Sequence, residues 1–273
     1  MNKGPIGVFD SGYGGLTVLK AITEKLPQYD YLYLGDNARA PYGTRSFDTV
    51  YHYTLQCVEW FFKKGCHLVI LACNTASAKA LRTIQQNDLP KIDPSKRVLG
   101  VIRPTSEIIG NFSKNGSVGI LGTTGTIQSR SYLIEIEKFF PGCKVYQEAC
   151  PMWVPLVENN EHTGSGADYF IKKHINNLFS NGENIDTVLL ACTHYPLLIE
   201  KIKQFLPQNC TVISQGKIVA DSLADYLQRH NEIEEKCSKG GRQDFYTTDS
   251  AEDFDNKAAI FYGKPIKSNH LEL

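Results

Sequence analysis

Long apolar runs are missing from this 273-residue sequence. Stretches such as Leu68 to Cys73 and Val188 to Cys192 fall far short of the ~20 residues that cross a bilayer, which excludes a membrane-spanning role. Net charge is missing too: 29 Lys and Arg face 29 Asp and Glu, so no global field draws in nucleic acid or an anionic membrane surface. The N-terminus shows no basic region, apolar segment and cleavage site, and runs into a strand-like Pro5-Ile6-Gly7-Val8-Phe9. A cytoplasmic protein is the expectation. Eight cysteines are present, yet no Cys-x-x-Cys pair and no regular spacing, which argues against structural zinc and against a secreted disulfide framework. No metal is expected.

Apolar residues, at 42%, are plentiful, enough for a core that hides roughly 70–75% of the unfolded surface. Short β-branched or aromatic runs alternate with helical stretches, the signature of stacked βα units in an α/β fold with mostly parallel sheets. Strands are predicted at Ile6–Phe9, Tyr31–Leu34, Leu68–Leu71, Val98–Val101, Ser117–Leu121, Lys144–Gln147, Thr187–Leu190 and Cys210–Ile213, with Asp244–Thr247 at an edge. Ser46 is placed to cap a helix running to Lys64, and Gly65 to end it. The last ~15 residues read as a frayed tail.

Two segments echo each other. Leu68-Val69-Ile70-Leu71-Ala72-Cys73-Asn74-Thr75 and Thr187-Val188-Leu189-Leu190-Ala191-Cys192-Thr193-His194 are apolar strands ending in Ala-Cys and polar residues. Ile6 to Gly12 and Val118 to Thr124 form a weaker second pair in the same order. The pattern predicts two similar α/β domains related by a pseudo-two-fold axis. The first comprises residues 1–100 and 212–273, the second residues 101–211. Ligands bind outside the carboxyl ends of parallel strands, so the site would be an interfacial cleft with one cysteine on each wall.

Cys73 and Cys192 each stand where a buried strand meets a helix start, where free N–H groups favour a thiolate usable as a base. The alternative is that both simply pack, as free cysteines commonly do. Cys57, Cys66, Cys143, Cys150, Cys210 and Cys237 lack this setting and are read as structural. Asp10-Ser11-Gly12-Tyr13-Gly14-Gly15 brings backbone close to a ligand, but it is not the six-residue dinucleotide fingerprint, and Asp10 would repel a pyrophosphate. Asp10 suits a ligand ammonium group, orients a cysteine, or caps the next helix. His194 can tune a neighbouring thiol. Asn74, Thr75 and Thr193 offer donors for a carboxylate or act as ordinary caps. Glu158 lies behind an apolar stretch and carries little weight by itself.

Together, Gly7 to Leu16, Pro41-Tyr42-Gly43, Ala72-Cys73-Asn74-Thr75-Ala76, Gly122-Thr123-Thr124-Gly125-Thr126, Cys150-Pro151 through Glu158, and Ala191-Cys192-Thr193-His194-Tyr195-Pro196-Leu197 resemble the cofactor-independent glutamate racemases of the aspartate/glutamate racemase superfamily. The resemblance runs from about residue 5 to about 262. Aspartate-specific members commonly carry Thr-Glu after the second cysteine, where this chain has Thr193-His194. The resemblance implies two flavodoxin-like domains, no cofactor, and interconversion of L- and D-glutamate for peptidoglycan synthesis. It further implies Cys73 and Cys192 as the two bases, with Cys73 acting on the D form and Asp10, Glu158 and His194 supporting them. Asp10, Ser11, Tyr42, Gly43, Asn74, Thr75, Thr123, Thr126, Thr193 and His194 would contact the small-molecule substrate. Ser214-Gln215-Gly216 departs from the Asp-Ser-Gly of many members, and no N-terminal extension of the kind seen in precursor-activated members precedes Pro5, so no such activation is expected. A homodimer is the prior for such folds. An aspartate racemase, a one-cysteine decarboxylase and a non-catalytic binding module remain as alternatives.

Overall fold

In the computed structural model, residues 3–273 are described and form two parallel sheets. The strands are β1 (Ile6–Asp10), β2 (Tyr31–Gly35), β3 (Leu68–Leu71), β4 (Arg97–Gly100), β5 (Ser117–Gly122), β6 (Lys144–Ala149), β7 (Thr187–Ala191), β8 (Thr211–Ile213), β9 (Gln243–Thr247) and β10 (Ser268–His270). The first sheet has the order β10-β9-β2-β1-β3-β4 and the second β6-β5-β7-β8. Strands buried on both faces read as unbroken apolar runs, which is why Leu68–Leu71 and Thr187–Ala191 were legible in the sequence.

The repeat is visible as topology. β2-β1-β3-β4 and β6-β5-β7-β8 are the same arrangement, so β5 corresponds to β1 and β7 to β3. The echoing Ala-Cys segments therefore end equivalent strands. Two expectations need correction. Residue 212 falls inside β8, which pairs with β7, so the chain returns to the first sheet only after Ile213. The tail is not wholly frayed: β10 pairs in parallel with β9, and its Ser-Asn-His sequence carries no apolar signal to announce it.

Eight helices position the site: α1 (Gly15–Lys25), α2 (Phe47–Lys63), α3 (Asn74–Lys79), α4 (Ile102–Ser106), α5 (Thr124–Gln128), α6 (Ser131–Phe139), α7 (Trp153–Glu158) and α8 (Gly216–Arg229). Ser46 caps α2 by accepting from the Thr49 N–H at 3.1 Å, and Gly65 leaves it with φ +90°, a conformation that favours glycine. One apolar cluster runs from Ile6 and Val8 of the first sheet through Leu16 and Leu19 of α1 and Val219 and Leu223 of α8 to Val188 and Leu190 of the second. The two lobes thus share a core. No helix among the described residues is long and apolar enough to cross a membrane.

Candidate active site

Cys73 ends the β3 segment in extended conformation and serves as the N-cap of α3, its Sγ accepting from the Ala76 N–H at 3.4 Å. The thiol in turn points at the Ser11 Oγ, 3.5 Å away. The helix start alone would favour a thiolate, but only 5% of Cys73 is exposed. Burial and the charge of Asp10 outweigh the Ser11 and Ala76 donors and push the thiol up to about 12. The usable thiolate expected at Cys73 is thus a neutral thiol in the unliganded protein.

Cys192 follows β7, also 5% exposed, and Cys192 and Cys73 lie close enough for the charge of one to act on the other. The helix expected directly after Cys192 starts later, behind a 3₁₀ turn over Tyr195–Leu198 that contains Pro196. His194 bonds Cys192, and its Nε2 lies 2.9 Å from Glu158 Oε1 at the end of α7. Burial pulls the imidazole down, yet Cys192 and Glu158 together raise it to about 10. At neutral pH the ring is an imidazolium donating Nε2–H to Glu158. Glu158, a weak candidate on sequence grounds, thus sits against the histidine.

Asp10 stands between the two cysteine environments. Its Oδ2 accepts from the Gly12 N–H at 3.0 Å, and the Thr193 hydroxyl lies 3.5 Å from its Oδ1. Burial raises this carboxyl to about 6, against the opposing charge of His194 and the N–H groups of Gly12 and Gly15. The glycines matter sterically: a Cβ on Gly14 would sit 2.1 Å from Thr193 Oγ1 and 2.4 Å from His194 Nδ1. The glycine-rich turn therefore lets the loop after β1 press against the loop after β7.

The other expected substrate contacts lie around this cluster and join the lobes. Thr75 Oγ1 and Thr123 Oγ1 are 2.9 Å apart, and Thr123 Oγ1 also bonds Thr126 Oγ1 at 3.0 Å. The Gly125 N–H donates to Gly43 O at 2.7 Å. The Tyr42 hydroxyl is turned to the buried Asp36, which also holds Arg39 and Thr248, so what Tyr42 can offer a ligand is its backbone. The Asn74 carboxamide is largely occupied as well: Nδ2 donates to Gln215 Oε1 at 2.7 Å, and Oδ1 accepts from the Tyr132 hydroxyl at 2.6 Å. Sequence reasoning passed over Tyr132 and Gln215. Only the departure of Ser214-Gln215-Gly216 from the resemblance pointed there. Among the described residues no three His, Cys, Asp or Glu side chains converge as metal ligands would.

Two parallel-sheet lobes with a buried cysteine at equivalent strand ends define a racemase-type architecture. The chain belongs to the Asp/Glu/Hydantoin racemase family, which it matches over residues 6–223. It is 38% identical to the glutamate racemase of Persephonella marina, over 98% of this chain and 97% of that protein. Among solved structures it is similar to glutamate racemase isoform RacE1 from Bacillus anthracis, with a TM-score of 0.90 and 34% identity, covering 100% of this chain and 99% of that one. It is also similar to the Francisella tularensis glutamate racemase solved with D-glutamate, at a TM-score of 0.88 and 29% identity, covering 100% and 98%. The chain is accordingly an enzyme, a racemase.

Proposed function

We propose that this racemase interconverts L- and D-glutamate by a two-base mechanism carried by Cys73 and Cys192, and that it supplies D-glutamate for peptidoglycan in the cytoplasm. The observation that carries the reading is the pairing itself: two buried cysteines at the ends of β3 and β7, within electrostatic reach of each other. Inversion at Cα needs a proton removed from one face and delivered to the other, which two flanking groups accomplish without reorienting the substrate.

The unequal surroundings suggest the resting protonation. Cys73 rests as the thiol, and the His194 imidazolium, held by Glu158, stands beside Cys192. With L-glutamate, the Cys192 thiolate takes the Cα proton and the bonding pair stays on Cα, delocalised into the carboxylate. The Cys73 S–H then gives its proton to the opposite face, leaving a Cys73 thiolate and a Cys192 thiol. That pair of states is the one competent for D-glutamate, the assignment the resemblance implies.

Each ~1.4 kcal/mol of carbanion stabilisation gains about tenfold in rate, and thiolate basicity alone is too weak for a Cα proton. The N–H groups at the start of α3 and the hydroxyls of Thr75, Thr123 and Thr193 are the donors available to the α-carboxylate. Asp10 is available to the α-ammonium group.

Cys73→Ala and Cys192→Ala should each lower racemisation of glutamate by about 10²–10⁴-fold or more while preserving the circular dichroism of the fold. A wild-type rate in either variant would refute the two-base mechanism. In D2O the product should carry deuterium at Cα; retention of the substrate hydrogen would contradict exchange at a thiol. The wild-type gene should rescue a bacterium that requires D-glutamate, and the Cys73→Ala gene should not.

A further inference from the structure

The chain passes between the lobes twice, at Val101 between β4 and α4, and at Ser214-Gln215 between β8 and α8. Gln215 is 4% exposed and is the most heavily bonded side chain of the second crossing. Its Nε2 lies 3.1 Å from Val101 O, 2.9 Å from Thr105 Oγ1 and 2.7 Å from the Tyr132 hydroxyl. Its Oε1 accepts from Asn74 Nδ2 at 2.7 Å. The Tyr132 hydroxyl donates in turn to Asn74 Oδ1 at 2.6 Å. The directions are mutually consistent: Gln215 donates to Tyr132, Tyr132 to Asn74, and Asn74 back to Gln215. Asn74, Thr105 and Tyr132 are all buried, so any missing member leaves a partner without water to replace it.

This ring joins four pieces of chain: both crossings, α6 of the second lobe, and the residue directly after Cys73. We propose that Gln215 is a positioning residue for the reaction, fixing Asn74, and through it the Cys73 sulfur, at a set distance from Cys192 when the lobes are together. The inference rests on the two-thiol reading above. A side chain as long as glutamine is needed, because its four partners come from three separate segments and one carboxamide must both donate and accept. Misplacement of a reacting group by about 1 Å costs roughly 100-fold even when the altered residue is remote from the chemistry.

The test compares Gln215→Leu, which keeps the volume and removes every bond, with Gln215→Glu. For Gln215→Leu, kcat per folded molecule should fall about 30- to 100-fold in both directions, with KM for L- and D-glutamate within about threefold of wild type. A role in stability alone would lower the folded fraction and leave kcat per folded molecule unchanged, and that outcome overturns the proposal. So does a loss confined to KM. The pH profile of Gln215→Glu gives an independent reading should Gln215→Leu fail to fold. When protonated, the new carboxyl both donates and accepts, as the amide does, so its kcat relative to wild type should climb at least about fivefold as pH falls from 8.5 to 6. A flat ratio overturns the proposal. If Cys73→Ala is inactive while Gln215→Leu turns over normally, the positioning role fails and the two-thiol reading stands; an active Cys73→Ala removes the reading itself.

Discussion

Two identical side chains in equivalent places differ because their neighbours differ. Cys73 feels the charge of Asp10, a like charge for a thiolate, whereas Cys192 has the His194 imidazolium backed by Glu158. Glu158→Gln would exchange a charge-assisted bond for a neutral one, a difference of about 1.4 kcal/mol, so kcat should fall about tenfold. The same change withdraws part of what lifts His194, and the alkaline limb of kcat should move to lower pH; an unmoved limb would show that Glu158 does not support the imidazolium. His194 also links pH to stability. Its folded value of about 10 lies above the 6.5 of a free imidazole, so its contribution is complete below about pH 6.5 and is lost as pH rises through about 10. Urea unfolding of wild type should therefore show stability declining over that interval, and His194→Asn should flatten the decline.

At the scale of elements, close approach does what no single side chain can. Alanine at position 14 would bring a Cβ within 2.1 Å of Thr193 Oγ1, so the loops after β1 and β7 must separate. Overpacking of this kind costs about 1–3 kcal/mol, and Gly14→Ala should lose about tenfold or more in kcat/KM while its helical signal is retained. Ser46→Ala is the matching control, costing about 1 kcal/mol at the start of α2 with kcat unchanged. Much of this was legible because buried parallel strands write themselves as apolar runs and a capping serine precedes its helix. The echo of Ala72-Cys73 in Ala191-Cys192 also located both sulfurs. What stayed hidden depends on contacts distant in sequence. The three polar residues of β10 pair only because β9 is already in place, and Gln215 reaches Asn74 across 141 positions. Cys73 gives the same lesson in electrostatics: its helix start favours a thiolate, but burial and Asp10, which only the fold brings together, reverse the outcome.

For the whole molecule, the shared core of α1 and α8 keeps the lobes attached on one side, while small polar contacts join them around the cysteines. Thr75 meets Thr123, the Gly125 N–H meets Gly43 O, and the Thr17 hydroxyl donates to Thr193 O at 3.0 Å. Neutral hydrogen bonds of this sort are worth about 0.5–1.5 kcal/mol each. A ligand that bridges the lobes would add to them. At 100 times its Kd, D-glutamate should add about 2.7 kcal/mol, raising Tm by roughly 5–10 °C in a chain of this size. The stabilisation comes from binding rather than proton transfer, so Cys192→Ala should show most of the same rise despite its lost activity. Thr123→Val, which removes the hydroxyl contacted by both Thr75 and Thr126, should show a smaller one. Thermal scans of the three proteins with and without D-glutamate decide the matter. An equal rise in Thr123→Val, or none in wild type, would mean that the ligand does not draw the two lobes together.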